Sequence, residues 1–236
     1  MTERGQRHVQ RSASTFTVGP SSLRWDGQCM VFDLHEVGVP LPQRVDGTLR
    51  VWPKALSTFN APLDDAGRHR WGPIAPCSRV EVDLQNPALQ WKGDAYLDSN
   101  EGDEPIDRPF TEWDWSRSTL RDGSTAVIYD VRQKTGADRV ITQRFRPDGS
   151  SEPFDAPPRH ALPRTAWRIG RSMRSDAAEP PQVRETLEDT PFYVRSVLRS
   201  GLFGEQVTSV HETLNVPRLV SLPVRLMLPW RMPRRG

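Results

Sequence analysis

The chain has 236 residues and a mass of 26.8 kDa, is 36% hydrophobic and 26% charged, and has a mean hydropathy of -0.63. That is one large domain or two small ones, long enough to bury a core, with no apolar run near the roughly 20 residues of a membrane-spanning helix. A balance of 32 basic against 30 acidic residues, net +2, excludes a general nucleic-acid binder.

From the N-terminus, residues 1–11 are polar and charged and lack the apolar region of a secretory signal, so cytoplasmic residence is expected. Strand-like stretches then recur at 29–35, 48–52, 79–84, 88–98, 125–131, 139–145 and 206–214. Several alternate with period two: in Val80-Glu81-Val82-Asp83-Leu84 the apolar residues fall on one face and the carboxylates on the other. The pairs Asp26-Gly27, Asp46-Gly47, Asp122-Gly123 and Asp148-Gly149 are hairpin signals. Proline-rich stretches at 150–163 and 175–181 read as surface loops. The best helical candidate is 191–202, one or two turns. With 22 prolines and no long amphipathic period, the pattern predicts an all-β fold, a barrel or sandwich of meandering hairpins.

Cys29 and Cys77 are too few for a disulfide framework or a zinc site and are expected as buried, reduced thiols. His211-Glu212 lacks the second histidine of a zinc-protease helix, and no phosphate loop, dinucleotide fingerprint or nucleophile elbow occurs. The informative region is 67–117. His69 and Trp71 lie two apart on a predicted strand and share a face, and Tyr96 and Asp98 repeat the arrangement on another. Converging on one apolar interior, these four would suit acid-catalysed chemistry on a hydrocarbon. A carboxyl in apolar surroundings can serve as a proton donor, and aromatic faces stabilise a neighbouring cation. Taken singly, each also has a structural reading: core aromatics for Trp71 and Tyr96, turn residues for His69 and Asp98. Trp113 and Trp115 alternate on a strand and either line a cavity or fill it. Asp103, Glu104 and Asp107 form an acidic loop, either solvated or cation-binding.

These segments together resemble a known family. The runs 16–27 (Phe16 through Trp25-Asp26-Gly27), 39–42, 66–71 (ending Arg68-His69-Arg70-Trp71), 95–105 (opening Ala95-Tyr96-Leu97-Asp98-Ser99-Asn100), 113–117, 188–193 and 226–235 resemble the bacterial carotenoid 1,2-hydratases, or hydroxyneurosporene synthases, over essentially the whole chain. The resemblance implies two lipocalin-like β-barrel units, 1–66 as the remainder of the first and 67–236 as the second, similar to tocopherol cyclases and fungal Diels-Alderases. It implies a cofactor-independent hydro-lyase that adds water to the terminal C1–C2 double bond of acyclic carotenoids such as neurosporene and lycopene, with no metal. The family's proposed catalytic residues fall on His69, Trp71, Tyr96 and Asp98. In that transfer Asp98 protonates C2, Trp71 and Tyr96 stabilise a tertiary cation at C1, and His69 orients water or accepts its proton; Trp113 and Trp115 are candidate substrate-binding residues.

Two departures from the family pattern stand out. Asp98-Ser99-Asn100 replaces the Asp-His-Asn of many relatives in the wider superfamily, so no role passes to Ser99. Family members usually carry an upstream segment, and Met1-Thr2-Glu3-Arg4 reads as the interior of such a protein, so an incomplete first unit is expected. The C-terminal stretch, where Arg218, Arg225, Arg231, Arg234 and Arg235 are interspersed with Leu222, Leu226, Leu228 and Trp230, has two readings: a final strand with solvent-facing arginines, or a peripheral contact with the inner or photosynthetic membrane. A non-catalytic lipocalin-like carotenoid- or isoprenoid-binding protein and a related polyene cyclase are the competing functions.

Overall fold

A computed structural model describes residues 3–39, 41–231 and 234–235, with the side chains of 3, 229–231, 234 and 235 outside the description. The architecture is all-β, as the alternation predicts, and the described residues fall into two units.

The first unit comprises 1–54, 78–96 and 222–236. Its strands Val9–Arg11, Thr15–Val18, Ser21–Trp25, Met30–Val37 and Arg44–Pro53 form an antiparallel meander, and Arg44–Pro53 pairs with the distal half of a long strand, His69–Asn86. Directly opposed residues share a face, so Phe16, Leu23, Phe32, Leu49 and Val82 make one apolar row across five strands. Asp26-Gly27 turns the chain between two of these strands, but Asp46-Gly47 does not make a hairpin. Gly47 lies inside Arg44–Pro53 at a register shift, with φ +151°, and a Cβ there would come within 2.5 Å of the Asp83 carbonyl oxygen. Its freedom serves a β-bulge rather than a turn.

The second unit comprises 55–77 and 97–221. Its framework is an antiparallel sheet of seven strands in the order Ser151–Glu152, Arg139–Phe145, Thr125–Gln133, Phe110–Thr119, Glu205–Asn215, Tyr193–Leu202 and Gln182–Asp189. The first and last of these do not pair with each other, so the ladder is an open path and not a hydrogen-bonded ring. Asp122-Gly123 and Asp148-Gly149 form its tight turns as expected, each glycine at positive φ. The helix expected over 191–202 is absent. Tyr193–Leu202 is a strand whose Val194, Ser196, Leu198 and Ser200 are buried in strict alternation, and pairing on both sides overrides the weak local helical signal. Helix occurs later, as Val216–Leu219 capped by Asn215, whose side-chain oxygen accepts from the Arg218 N–H, and as Leu222–Arg231. The final strand read into the tail is therefore a helix over 222–231; residues 232, 233 and 236 lie outside the described residues. Cys29 and Cys77 are buried and unbridged.

The two faces of the seven-stranded sheet differ in chemistry. One carries Asp114, Ser116, Ser196, His211 and Thr213, all buried, under a hairpin made by Arg159–Leu162 and Arg171–Arg174. Asp114 is the hub there, accepting from Ser172 Oγ at 2.7 Å and Thr213 Oγ1 at 2.6 Å, and Arg174 Nε donates to both Asp130 oxygens. The opposite face is aromatic and carries Trp113, Trp115, Tyr129 and Phe145. Segment 55–77 packs over it, with Trp71 against Tyr129 and the Cys77 thiol donating to the Phe145 carbonyl.

Candidate functional site

Trp71 packs over the aromatic face, which itself carries Trp113 and Trp115. The proximal half of His69–Asn86 places His69, Trp71, Ala75 and Cys77 inward, all buried. Trp71 is fully enclosed, with 0% exposure, and its ring meets Phe59 and Tyr129 edge-on, both at 5.8 Å between centroids. An indole so enclosed needs an acceptor for its N–H. That acceptor is Asp98: Trp71 Nε1 donates to Asp98 Oδ2 at 2.9 Å. The spacing that put these two residues on neighbouring strands thus brings them into direct contact. Tyr96 lies two residues before Asp98 on Leu89–Gly102, half-buried, and belongs to the first unit by its packing.

His69 is held differently from a histidine open to substrate. It is 3% exposed, its Nδ1 is 2.7 Å from Asp64 Oδ2, and its Nε2 is 2.9 Å from the Glu104 carbonyl oxygen. Both neighbours are acceptors, so only a ring with a proton on each nitrogen satisfies both. Burial pushes the Asp64 carboxyl up, but hydrogen bonds from His69 and the Arg68 N–H outweigh it and hold the group below its ordinary 3.8. Gly102 gives His69 its room, since a Cβ there would lie 2.7 Å from His69 Cδ2. The result is a clamp: His69 ties the turn at 64–68 to the acidic loop at 102–107, and Arg68 Nη1 adds a bond to Glu104 Oε2 at 2.9 Å. Asp64, His69 and Glu104 have the composition of a cation site, but their polar groups already pair with one another and with Arg68. The donor set is that of a salt-bridge cluster.

Beneath this loop is a cavity of about 320 Å³, bordered by Leu63, His69, Phe110, Trp113 and Tyr129 and by residues from 100 to 106. Its wall is a chain of edge-to-face rings, with His69 against Phe110 at 4.9 Å, Phe110 against Trp113 at 6.0 Å and Trp113 against Tyr129 at 6.3 Å. Trp113 therefore lines the cavity. Trp115 is buried in the sheet face, directly opposite Tyr129 on one side and Glu212 on the other, and is not part of that border. Tyr129 links the two groups of rings, touching Trp71 on one side and Trp113 on the other.

Tyr129 and Asp64 are the residues that sequence reasoning missed. A tyrosine closing the apolar run Ala126-Val127-Ile128-Tyr129 was the available signal for the first. The pairing of Asp64 with His69 is set by the turn between them and leaves no periodic trace. Burial pushes the Tyr129 phenol far above the ordinary tyrosine value of 10.0, and the charges of Asp98 and Glu212 add to this. A phenol neutral in the folded chain and free to ionise when unfolded contributes stability that is intact below pH 10.0 and is lost as pH rises above it. Denaturant midpoints measured at about pH 9 and about pH 11 are expected to fall between the two, and to fall less in Tyr129→Phe; equal falls would contradict this role.

The family model described as carotenoid hydratase CrtC matches residues 1–236. The chain belongs to the CrtC carotenoid hydratase family. It is 66% identical over its full length to the acyclic carotenoid 1,2-hydratase of Rubrivivax gelatinosus and 48% identical to that of Thiocapsa roseopersicina, spanning 58% of each of those proteins. The acyclic carotenoid 1,2-hydratase of Cereibacter sphaeroides is 32% identical, and the chain covers 84% of it. In fold, the chain is similar to the crystal structure of an AttH-type protein from Nitrosomonas europaea, with a TM-score of 0.62 at 13% identity, covering 88% of this chain and 71% of that one. At that identity the likeness shows the fold alone, all-β as expected, in sheets that do not close into the expected barrels.

Proposed function

We propose that the chain is a hydro-lyase that adds water to the terminal C1–C2 double bond of an acyclic carotenoid by acid catalysis. The observation that carries the reading is the contact between the Asp98 carboxyl and the Trp71 indole within a continuous aromatic cluster beside the cavity. The name shared by its relatives supports the substrate class.

In this mechanism Asp98, oriented by Trp71, delivers a proton to C2. The electron pair of the double bond forms the new C–H bond and leaves a tertiary cation at C1. The faces of Trp71, Tyr129 and Trp113 stabilise the cation as it develops, and the resemblance adds Tyr96, two residues before Asp98 in sequence. Water attacks C1 and loses a proton, giving a tertiary alcohol. His69 acts as a positioning residue, holding the 102–107 loop over the reacting end. Trp115 supports the wall that carries Trp113. A volume of about 320 Å³ is at the small end of ligand sites and suits the end of a polyene rather than its whole length.

Along the sequence, a first lipocalin-like unit at 1–66 and a second at 67–236 belong to this proposal, while by packing 55–66 groups with the second unit and 78–96 and 222–236 with the first. A peripheral place at the cytoplasmic side of the inner or photosynthetic membrane belongs to the proposal as well. Leu222 and Leu226, four residues apart on the last helix, are 69% and 72% exposed, with exposed Arg225 between them. That combination suits an anionic lipid surface from which a carotenoid could be drawn. Among the described residues no helix is long and apolar enough to cross a membrane.

The test is the mass of carotenoids from lycopene-producing cells that express the chain. A gain of one water, or of two if both ends react, is expected. Pigment bound in stoichiometric amount with unchanged mass would instead establish a binding protein.

A further inference from the structure

The hydratase reading leaves the attacking water without a base, because both nitrogens of His69 are engaged. The aromatic face holds a second carboxylate. Tyr129 is paired with Trp115, Trp115 with Glu212, and Glu212 with Arg195, so the four stand in one row across four strands. Glu212 lies diagonal to Trp113, whose own partner on that strand is Leu214, so it is one register step from the cavity wall. Its Oε1 accepts from Arg195 Nε at 2.8 Å, and its side chain is 24% exposed, so water reaches it from outside. Stability accounts poorly for this placement. The Arg195 side chain is 45% exposed, and ion pairs of that kind add little to stability, while a carboxylate set beside Trp115 and Tyr193 loses hydration.

We propose that Glu212 is the base that takes the proton from the attacking water, making it a second catalytic carboxylate opposite in role to Asp98. The inference rests on the hydratase reading. As the water oxygen bonds to C1, one of its O–H bonds breaks and that proton passes to Glu212; Glu212 then releases it to solvent, and Asp98 regains one from solvent. The sum is alkene plus water giving alcohol. A protonated tertiary alcohol is a much stronger acid than a carboxylic acid, so ordinary carboxylate basicity suffices and position decides the outcome. The negative charge also favours the cation before water arrives. The raised Tyr129 phenol is consistent with this arrangement, since after burial the charges of Asp98 and Glu212 both act on it.

The experiment compares the wild-type chain with Glu212→Gln and Glu212→Asp in heavy water, using lycopene in phospholipid vesicles and reading both the hydrate and deuterium in the recovered carotenoid. In Glu212→Gln, Asp98 still protonates C2, but the cation then mostly returns a proton to Asp98. Hydrate is expected to fall about 100-fold while unhydrated carotenoid gains deuterium. Undiminished hydrate in Glu212→Gln overturns the assignment, and so does loss of both hydrate and exchange in a protein that melts like wild type. If Glu212→Gln does not fold, Glu212→Asp decides: a raised ratio of exchange to hydrate supports the role and an unchanged ratio overturns it. A wild-type chain that forms no hydrate overturns the hydratase reading itself.

Discussion

Asp98→Asn is expected to lower hydration by at least about 1,000-fold while leaving the fold intact. The amide keeps an oxygen that can accept from Trp71 Nε1, so the buried indole retains its partner and the aromatic cluster its packing. What it lacks is a proton to deliver to carbon. Because protonation precedes every later event, the variant is expected to lose exchange of solvent deuterium into unhydrated substrate as well as the hydrate, in contrast to Glu212→Gln. Product mass together with thermal melting checks this. Full activity in a folded Asp98→Asn protein would remove Asp98 from the reaction.

Asp64→Ala is expected to have the largest effect on stability. Asp64 and His69 are both almost completely enclosed, and the pair is 2.7 Å apart. Removing one partner of a buried pair leaves the other charge without compensation, which costs about 3–5 kcal/mol. The melting temperature should fall by many degrees, and hydration should fall with it as the 102–107 loop loses its anchor. The same pair predicts acid sensitivity. The folded Asp64 carboxyl is held below 3.8, so its contribution is complete above that pH and is lost as pH falls through the lower folded value. Denaturant midpoints of wild type and Asp64→Ala should therefore converge as the pH is lowered. A constant gap between them would contradict the ion-pair account.

Much of the fold was legible because strands write themselves with period two. The 79–84 alternation lies inside His69–Asn86, and the predicted 139–145 segment coincides with Arg139–Phe145. Turn chemistry was readable where glycine had to follow aspartate between strands, and it misled at Gly47, where the same dipeptide serves a bulge. Over 191–202 the expected helix is a strand whose buried Ser196 and Ser200 alternate with Val194 and Leu198, so the inward face carries no continuous apolar signal. The terminal helix was hidden by its prolines, Pro223 and Pro229, and by the absence of a clear apolar stripe.

For the site, strand spacing and family resemblance singled out Trp71 and Asp98, whose direct hydrogen bond the structure adds, and alternation singled out Trp113 as lining or filling a cavity, of which it lines one. The sequence could not supply Tyr129 or Glu212. Their relation to Asp98 depends on which strands become neighbours, and Trp115 is placed between them only by the pairing of 110–119 with both 125–133 and 205–215. The resemblance assigns His69 to orienting water or accepting its proton; that its ring is also held between two acceptors, one from a turn and one from a loop carbonyl, had no trace in the sequence.

In this mechanism a proton delivered from Asp98 to carbon starts the reaction. The most direct measurement is the position of deuterium in the hydrate formed by the wild-type chain in heavy water. The account predicts one solvent deuterium on C2 beside a hydroxyl on C1, and neither with Asp98→Asn. A hydroxyl at C1 without deuterium at C2, or equal labelling by wild type and Asp98→Asn, would contradict it.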